Sequence, residues 1–145
     1  MFALQHRVRV FVFQVLEREI QYLLLRQKPV NEWPLGPVIG SVALGEQMNE
    51  AVVRQVELET GIRSPLHIID LARPAKELFG DVGLVEWPFA YQAGTPTHPV
   101  EDLEPGPMVG ECSWMAFEEA FTRVESSPDR DSLVRLRLRL ASPGA

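Results

Sequence analysis

Glu46, Arg54 and Glu59 follow one another at intervals of eight and five residues within GSVALGEQMNEAVVRQVELETGI, Gly40 to Ile62. If this stretch is a helix, positions 55, 58 and 59 share an arc of its surface. Acidic side chains there would converge on a divalent cation and could hold Mg²⁺ against a diphosphate. This chain carries Gln55, Leu58 and Glu59 at those positions. Gln55 offers one neutral oxygen and Leu58 offers none. Glu57 does not replace them, because it stands about 200° around a helix from Glu59 and cannot chelate the same ion.

The spacing predicts a helix over Glu46 to Thr60, with Asn49 as N-cap, Glu50 and Arg54 as an i,i+4 pair and Gly61 as terminator. Val52, Val53, Val56 and Thr60 form its core face. Ala51, Arg54, Gln55, Leu58 and Glu59 form a second, ligand-facing arc. Upstream, the β-branched and aromatic run Arg7 to Glu17 and the apolar run Ile20 to Lys28 read as two strands joined by a tight hairpin near Glu17 to Glu19. PVNEWPLGPVIG reads as a loop anchored by Trp33.

Downstream, strands are expected around Leu66 to Ala72 and Gly83 to Gln92, with a long loop over AGTPTHPVEDLEPGPMVGE. CSWMAF suggests a short strand and FEEAFTRVES a helix. DSLVRLRLRL fits either periodicity. Leu136, Leu138 and Leu140 alternate, while Leu133, Leu136 and Leu140 share a helical face, and a helix started by Ser127, Pro128 and Asp129 is favoured. Strands first, one helix, more strands and then helices indicate a mixed α/β sandwich in one domain over residues 1–145.

Composition narrows the partners. A formal charge of -6 and a pI near 5.1 argue against nucleic acid and anionic membrane surfaces. VRVFVFQV is too short and too soon interrupted for a membrane span. The lone Cys112 fits a reducing cytoplasm and excludes an intramolecular disulfide. It has no basic neighbour in sequence to activate it, and Ser113 lacks a nucleophile elbow. His98, with Glu101 and Asp102, lacks the second histidine of a metal site, and His67 reads as structural.

The box stretch resembles the Nudix motif G-x5-E-x7-R-E-U-x-E-E-x-G-U, in which U is bulky and aliphatic. Gly40, Glu46, Arg54, Val56, Glu59, Gly61 and Ile62 match it. Trp33 followed by GPVIGSV resembles the variant in dihydroneopterin triphosphate pyrophosphatases, and CSWMAFEEA the family's late strand-to-helix segment. The resemblance implies an α/β (α+β) fold, a Nudix-like α/β/α sandwich with a mixed central sheet. It implies that Gly40, Glu46, Arg54 and Gly61 are box scaffold and that Glu59 is the remaining metal ligand. Glu111 is the candidate second catalytic carboxylate, with Glu101, Asp102 and Glu104 as further loop acids. Arg26 and Lys28 are candidates to reach phosphates, and Trp33 to stack on a nucleobase or pterin-like ring.

Mg²⁺ is the implied cofactor, and Glu59 alone leaves at most weak, substrate-dependent binding. The reading is therefore a degenerate Nudix domain with weak or no hydrolysis that binds a nucleotide or other diphosphate-containing small molecule. The alternatives are an active Mg²⁺-dependent hydrolase using Glu59 plus a loop carboxylate, and a protein-interaction module. A homodimer is compatible with all three.

Overall fold

A computed structural model describes residues 3–141; the ends of the domain expected over 1–145 lie outside the described residues. Its elements are β1 (Ala3–Val15), β2 (Ile20–Gln27), β3 (Val38–Ser41), α1 (Met48–Thr60), β4 (His67–Asp70), β5 (Ala75–Phe79), β6 (Val82–Gly94), β7 (Val109–Met115), α2 (Phe117–Arg123) and α3 (Ser127–Ala141). The strands form one mixed sheet of order β4-β6-β1-β2-β7, with β3 on β1 and β5 on β6. β1 runs parallel to β6, and the other pairings are antiparallel. None of the described helices is long and apolar enough to cross a membrane.

β1 is central because it is apolar on both faces. Val8, Val10 and Val12 point to the α1 layer, where Ala51, Val52 and Val56 are buried. Phe11 and Phe13 point the other way, onto Ala120, Leu133 and Leu136 of α2 and α3. The period-two alternation of a strand assigns each set to its own helical layer. The result is the α/β/α sandwich with a mixed sheet that the sequence indicated.

Several boundaries differ from expectation. β3 falls in the stretch read as loop, since a four-residue strand among prolines and glycines leaves almost no periodic signal. β5 was not anticipated and exists by pairing with β6. β7 begins at Val109, so Glu111 is a strand residue rather than a loop residue. α1 starts at Met48 with Gln47, not Asn49, as its cap residue, and the Glu50 carboxylate accepts the Gln47 N–H at 3.2 Å. Its buried residues are Ala51, Val52, Gln55, Val56 and Thr60. The inward face is thus rotated towards positions 51 and 55, and Val53 is only half-buried.

DSLVRLRLRL is helical. Ser132, Leu133 and Leu136 are buried at helical spacing, and Leu138, which an alternating strand would bury, is exposed. Ser126 precedes the helix and its Oγ accepts the Asp129 N–H at 3.4 Å.

One topological detail creates a groove. Residues 7–10 of β1 pair with β3, whereas residues 12–15 pair with β2. Beyond that point β2 leaves β1 to pair with β7, and a single bridge, Leu25 to Gly36, spans the gap between β2 and the segment entering β3.

Candidate functional site

The loop and first turns of α1 are tied together by charge. The Arg54 guanidinium donates to Glu46 through Nε at 2.9 Å and Nη2 at 3.1 Å, and Nη2 also reaches the Ser41 carbonyl at 2.7 Å. Glu46 further accepts the Ala43 N–H at 2.9 Å. These hydrogen bonds, Arg54 first, hold the Glu46 carboxyl below its ordinary pKa and raise that of Arg54. Gly40 is required by closeness, because a Cβ there would overlap the Gln55 side chain. Gly61 ends α1 at φ 80°, a left-handed conformation that glycine adopts without strain.

The carboxylate end of the box is built differently. One Glu59 oxygen accepts the Gln55 amide at 3.0 Å, and the other accepts the Gln27 amide at 3.3 Å. Arg54 Nη1 donates to the Gln55 carbonyl at 3.1 Å, which turns the Gln55 NH₂ towards Glu59. The 95–108 loop closes the helix end: the Glu104 N–H donates to Thr60 O at 2.9 Å and the Gly106 N–H to Glu59 O at 3.1 Å. The backbone of Glu59 is thereby fixed, while its side chain is held by neutral donors.

Leu58 does not share that space. It is 56% exposed and lies with Asn49, Val53 and Glu57 on the outer surface of α1. The ligand-facing arc expected over 51, 54, 55, 58 and 59 is therefore split: Ala51 and Gln55 are buried, Glu59 borders the groove and Leu58 faces outward.

Glu111 is not brought to Glu59. It accepts Arg26 Nε at 3.2 Å and Arg123 Nη2 at 2.9 Å, on the α2 side of the sheet, whereas Glu59 lies on the α1 side. Arg26 also donates to the carbonyls of Val30 and Trp33, so it holds the Trp33 loop rather than facing the groove. Lys28 is exposed beside Gly110 and does not line the groove. Trp33, 50% exposed, does line it.

The groove has a volume of about 410 Å³, within the range of small-molecule pockets. Leu25, Trp33, Leu35 and Ile39 give it apolar walls, and Gln27 and Glu59 stand at one end. At the other end lies a network that the sequence did not single out. Arg9 donates to Asp129 at 2.8 and 2.6 Å and to Glu86 at 3.1 Å, and Arg7 donates to Glu86 at 2.9 Å. Burial works against the Arg9 charge, but Asp129 and Glu86 outweigh it and raise its pKa. The available signal was the alternation RVRVFVF, which sets Arg7 and Arg9 on the Phe11 face of β1. Their partners are as much as 120 residues away in sequence.

Cys112 is part of no nucleophilic arrangement. Burial, then the charge of Glu59, pushes its thiol up to about 11, so it is protonated at neutral pH.

A family model described as NUDIX domain matches residues 5–136. The chain belongs to the Nudix family. Solved structures agree in fold: the C. elegans Ap4A hydrolase binary complex is 16% identical with a TM-score of 0.77, over 94% of this chain and 98% of that one. The E. coli dihydroneopterin triphosphate pyrophosphohydrolase is 21% identical with a TM-score of 0.71, over 91% and 95%. The NUDIX domain of Shewanella oneidensis NrtR, complexed with ADP ribose, is 14% identical with a TM-score of 0.74, over 97% and 91%. No curated protein sequence matches the chain.

Nudix hydrolases generally use divalent metals such as Mg²⁺. The donor set here does not fit one. Among the described residues no group of three or more His, Cys, Asp or Glu side chains could hold a metal ion. Both oxygens of Glu59, the one carboxylate at positions 55, 58 and 59, face amide NH₂ groups, which are donors and repel a cation.

Proposed function

We propose that this Nudix domain binds a nucleotide or related small metabolite in the groove between β2 and β3, without needing a divalent cation, and hydrolyses it weakly or not at all. The observation that carries this reading is Glu59, whose two oxygens are occupied by the amides of Gln55 and Gln27. The scaffold half of the box, Gly40, Glu46, Arg54 and Gly61, is intact and supports the groove. Efficient pyrophosphohydrolysis needs a cation clamp on the phosphoryl oxygens, and losing one key electrostatic stabiliser costs on the order of 10²–10³ in rate. Two structural relatives, an Ap4A hydrolase and a NUDIX domain complexed with ADP ribose, support a nucleotide-like ligand.

The hydrolase alternative would need a second carboxylate beside Glu59. Glu111 is engaged by two arginines on the other face of the sheet. Glu101, Asp102 and Glu104 are exposed on the loop that closes α1.

Thermal-shift measurements against nucleosides, nucleotides and dinucleotides, with Mg²⁺ and with EDTA, test the reading. The expected result is a stabilising shift of equal size in both conditions, with no product formed. A shift seen only with Mg²⁺, accompanied by hydrolysis that Glu59→Gln abolishes, would overturn it.

A further inference from the structure

The charges around the groove say more about its ligand than the fold does. Three sources of positive potential border it: Arg7, Arg9 and the N-terminal end of the 15-residue helix α3. Asp129 cancels two of them. It stands in the first turn of α3, at the positive end of the helix dipole, and it takes two hydrogen bonds from Arg9, whose third goes to Glu86. At the opposite end Glu59 adds a negative charge with no cation beside it.

Arg7 is the exception. Its one hydrogen bond goes to a Glu86 oxygen that it shares with Arg9, its side chain is 38% exposed, and its Nε is buried without a partner. Its Nη1 makes no hydrogen bond, so this partly exposed guanidinium on the groove wall keeps a donor for an acceptor supplied from outside.

We propose, resting on the binding reading above, that the groove selects a ligand with a planar ring and a single anionic group, of the nucleoside monophosphate class, and discriminates against diphosphates. The ring lies against Trp33 and the apolar wall of Leu35 and Ile39. The anionic group meets Arg7. A further phosphate finds no second guanidinium with an unused nitrogen among the groove's described residues, since all three Arg9 nitrogens are bonded, and it meets Asp129 or Glu59 instead. Charge selection by juxtaposed like charges is an ordinary way for a site to exclude a longer homologue.

Calorimetric titration of the whole chain in EDTA with adenosine, AMP, ADP and ADP-ribose, and with the guanine series, tests the proposal. AMP or GMP is expected to bind about tenfold or more tightly than its nucleoside, consistent with one charge-assisted contact. The corresponding diphosphate is expected to bind no better than the monophosphate. Arg7→Gln should remove the advantage of the monophosphate while leaving nucleoside binding within about threefold, and Arg7→Lys should keep part of it. Diphosphates binding more tightly than monophosphates in EDTA would overturn this inference and leave the metal-independent reading standing. Binding that appears only when Mg²⁺ is added, or no binding of any member, would overturn both.

Discussion

At one end of the groove Asp129, with its side chain 4% exposed, takes two hydrogen bonds from the Arg9 guanidinium; at the other, Glu59 is half-buried and takes one from each of two glutamine amides. Both carboxylates are satisfied, but by different chemistry. The Arg9 end is a charge pair, in which removing either partner strands the other in a poorly solvated place. The Glu59 end is a carboxylate among dipoles, where the groups can be exchanged with less consequence. A third carboxylate, Glu46, is paired like Asp129 but nearer to solvent, with Arg54 45% exposed. The groove end that packs the helices and the box end that positions Glu59 therefore differ in how much stability rests on each contact.

The largest effect is expected from Asp129→Ala. Breaking a buried ion pair from one side costs about 3–5 kcal/mol. Glu86 still meets Arg9 at 3.1 Å, which places the expected loss near the lower figure, about 3 kcal/mol by urea denaturation. A loss below about 1 kcal/mol, the range of exposed pairs, would erase the distinction between the two ends.

Gln55→Glu tests the other end. It removes an NH₂ donor 3.0 Å from Glu59 and sets two carboxylates one helical turn apart. The expected loss in EDTA is about 1.5–3 kcal/mol, the worth of a hydrogen bond to a charged group. Because the variant adds the second carboxylate that a cation needs, millimolar Mg²⁺ or Mn²⁺ should recover part of the loss, whereas the unmodified chain should not respond. A melting temperature equally metal-sensitive in both proteins would show that Glu59 alone already holds a cation.

How much of this was legible in the sequence follows from the range of each contact. The ending of α1 at Gly61 could be read because it is local, whereas helical spacing offered Glu50 as the partner of Arg54 and the structure gives it Glu46 from the preceding loop, with Glu50 turned to the Gln47 N–H. The two apolar faces of β1 were equally readable from alternation. The layering followed from the resemblance together with the order of elements. What escaped was non-local. Asp129 was noted only as a helix-starting residue, and nothing in the neighbourhood of Arg9 announces it, since the strand order β4-β6-β1-β2-β7 and the packing of α3 bring them together. Glu111 was assigned to a loop because prolines and glycines precede it, yet β2 recruits it as a strand residue through Arg26. Leu58 was expected beside Glu59 from helical spacing, but the buried face of α1 takes in Ala51 and Gln55 and stops there, so the arc is divided and Leu58 stays past its edge with exposed Arg54 and Glu57.

Glu46 supplies a smaller, pH-dependent effect. Its folded-state pKa lies below the ordinary 4.5, chiefly through the Arg54 hydrogen bonds. The stabilisation is therefore complete above the unfolded-state value and is lost as pH falls through the lowered folded-state value. Arg54→Met should flatten the acid limb of the stability curve in that window: its loss is present at neutral pH, small because solvent screens the pair, and vanishes below the window. An acid limb unchanged by the substitution would assign the pH dependence to other carboxylates, Asp129 among them.

The smallest effect belongs to Leu58→Ala. A core leucine such as Leu133, fully buried between α3 and the sheet, is expected to cost about 2–5 kcal/mol when truncated, because its removal leaves a cavity. Leu58 has the same side chain but is 56% exposed, so truncation leaves no cavity and should change stability by no more than about 0.5 kcal/mol. Metal-free ligand binding should be unchanged as well, because Leu58 lies outside the groove wall. A Leu58→Ala variant with weakened binding would place the ligand across the outer face of α1, and one with an altered sedimentation coefficient would give that face to a protein partner or a second copy. Unchanged stability, binding and sedimentation would leave Glu59, held by Gln55 and by Gln27 of β2, as the box's contribution to the groove.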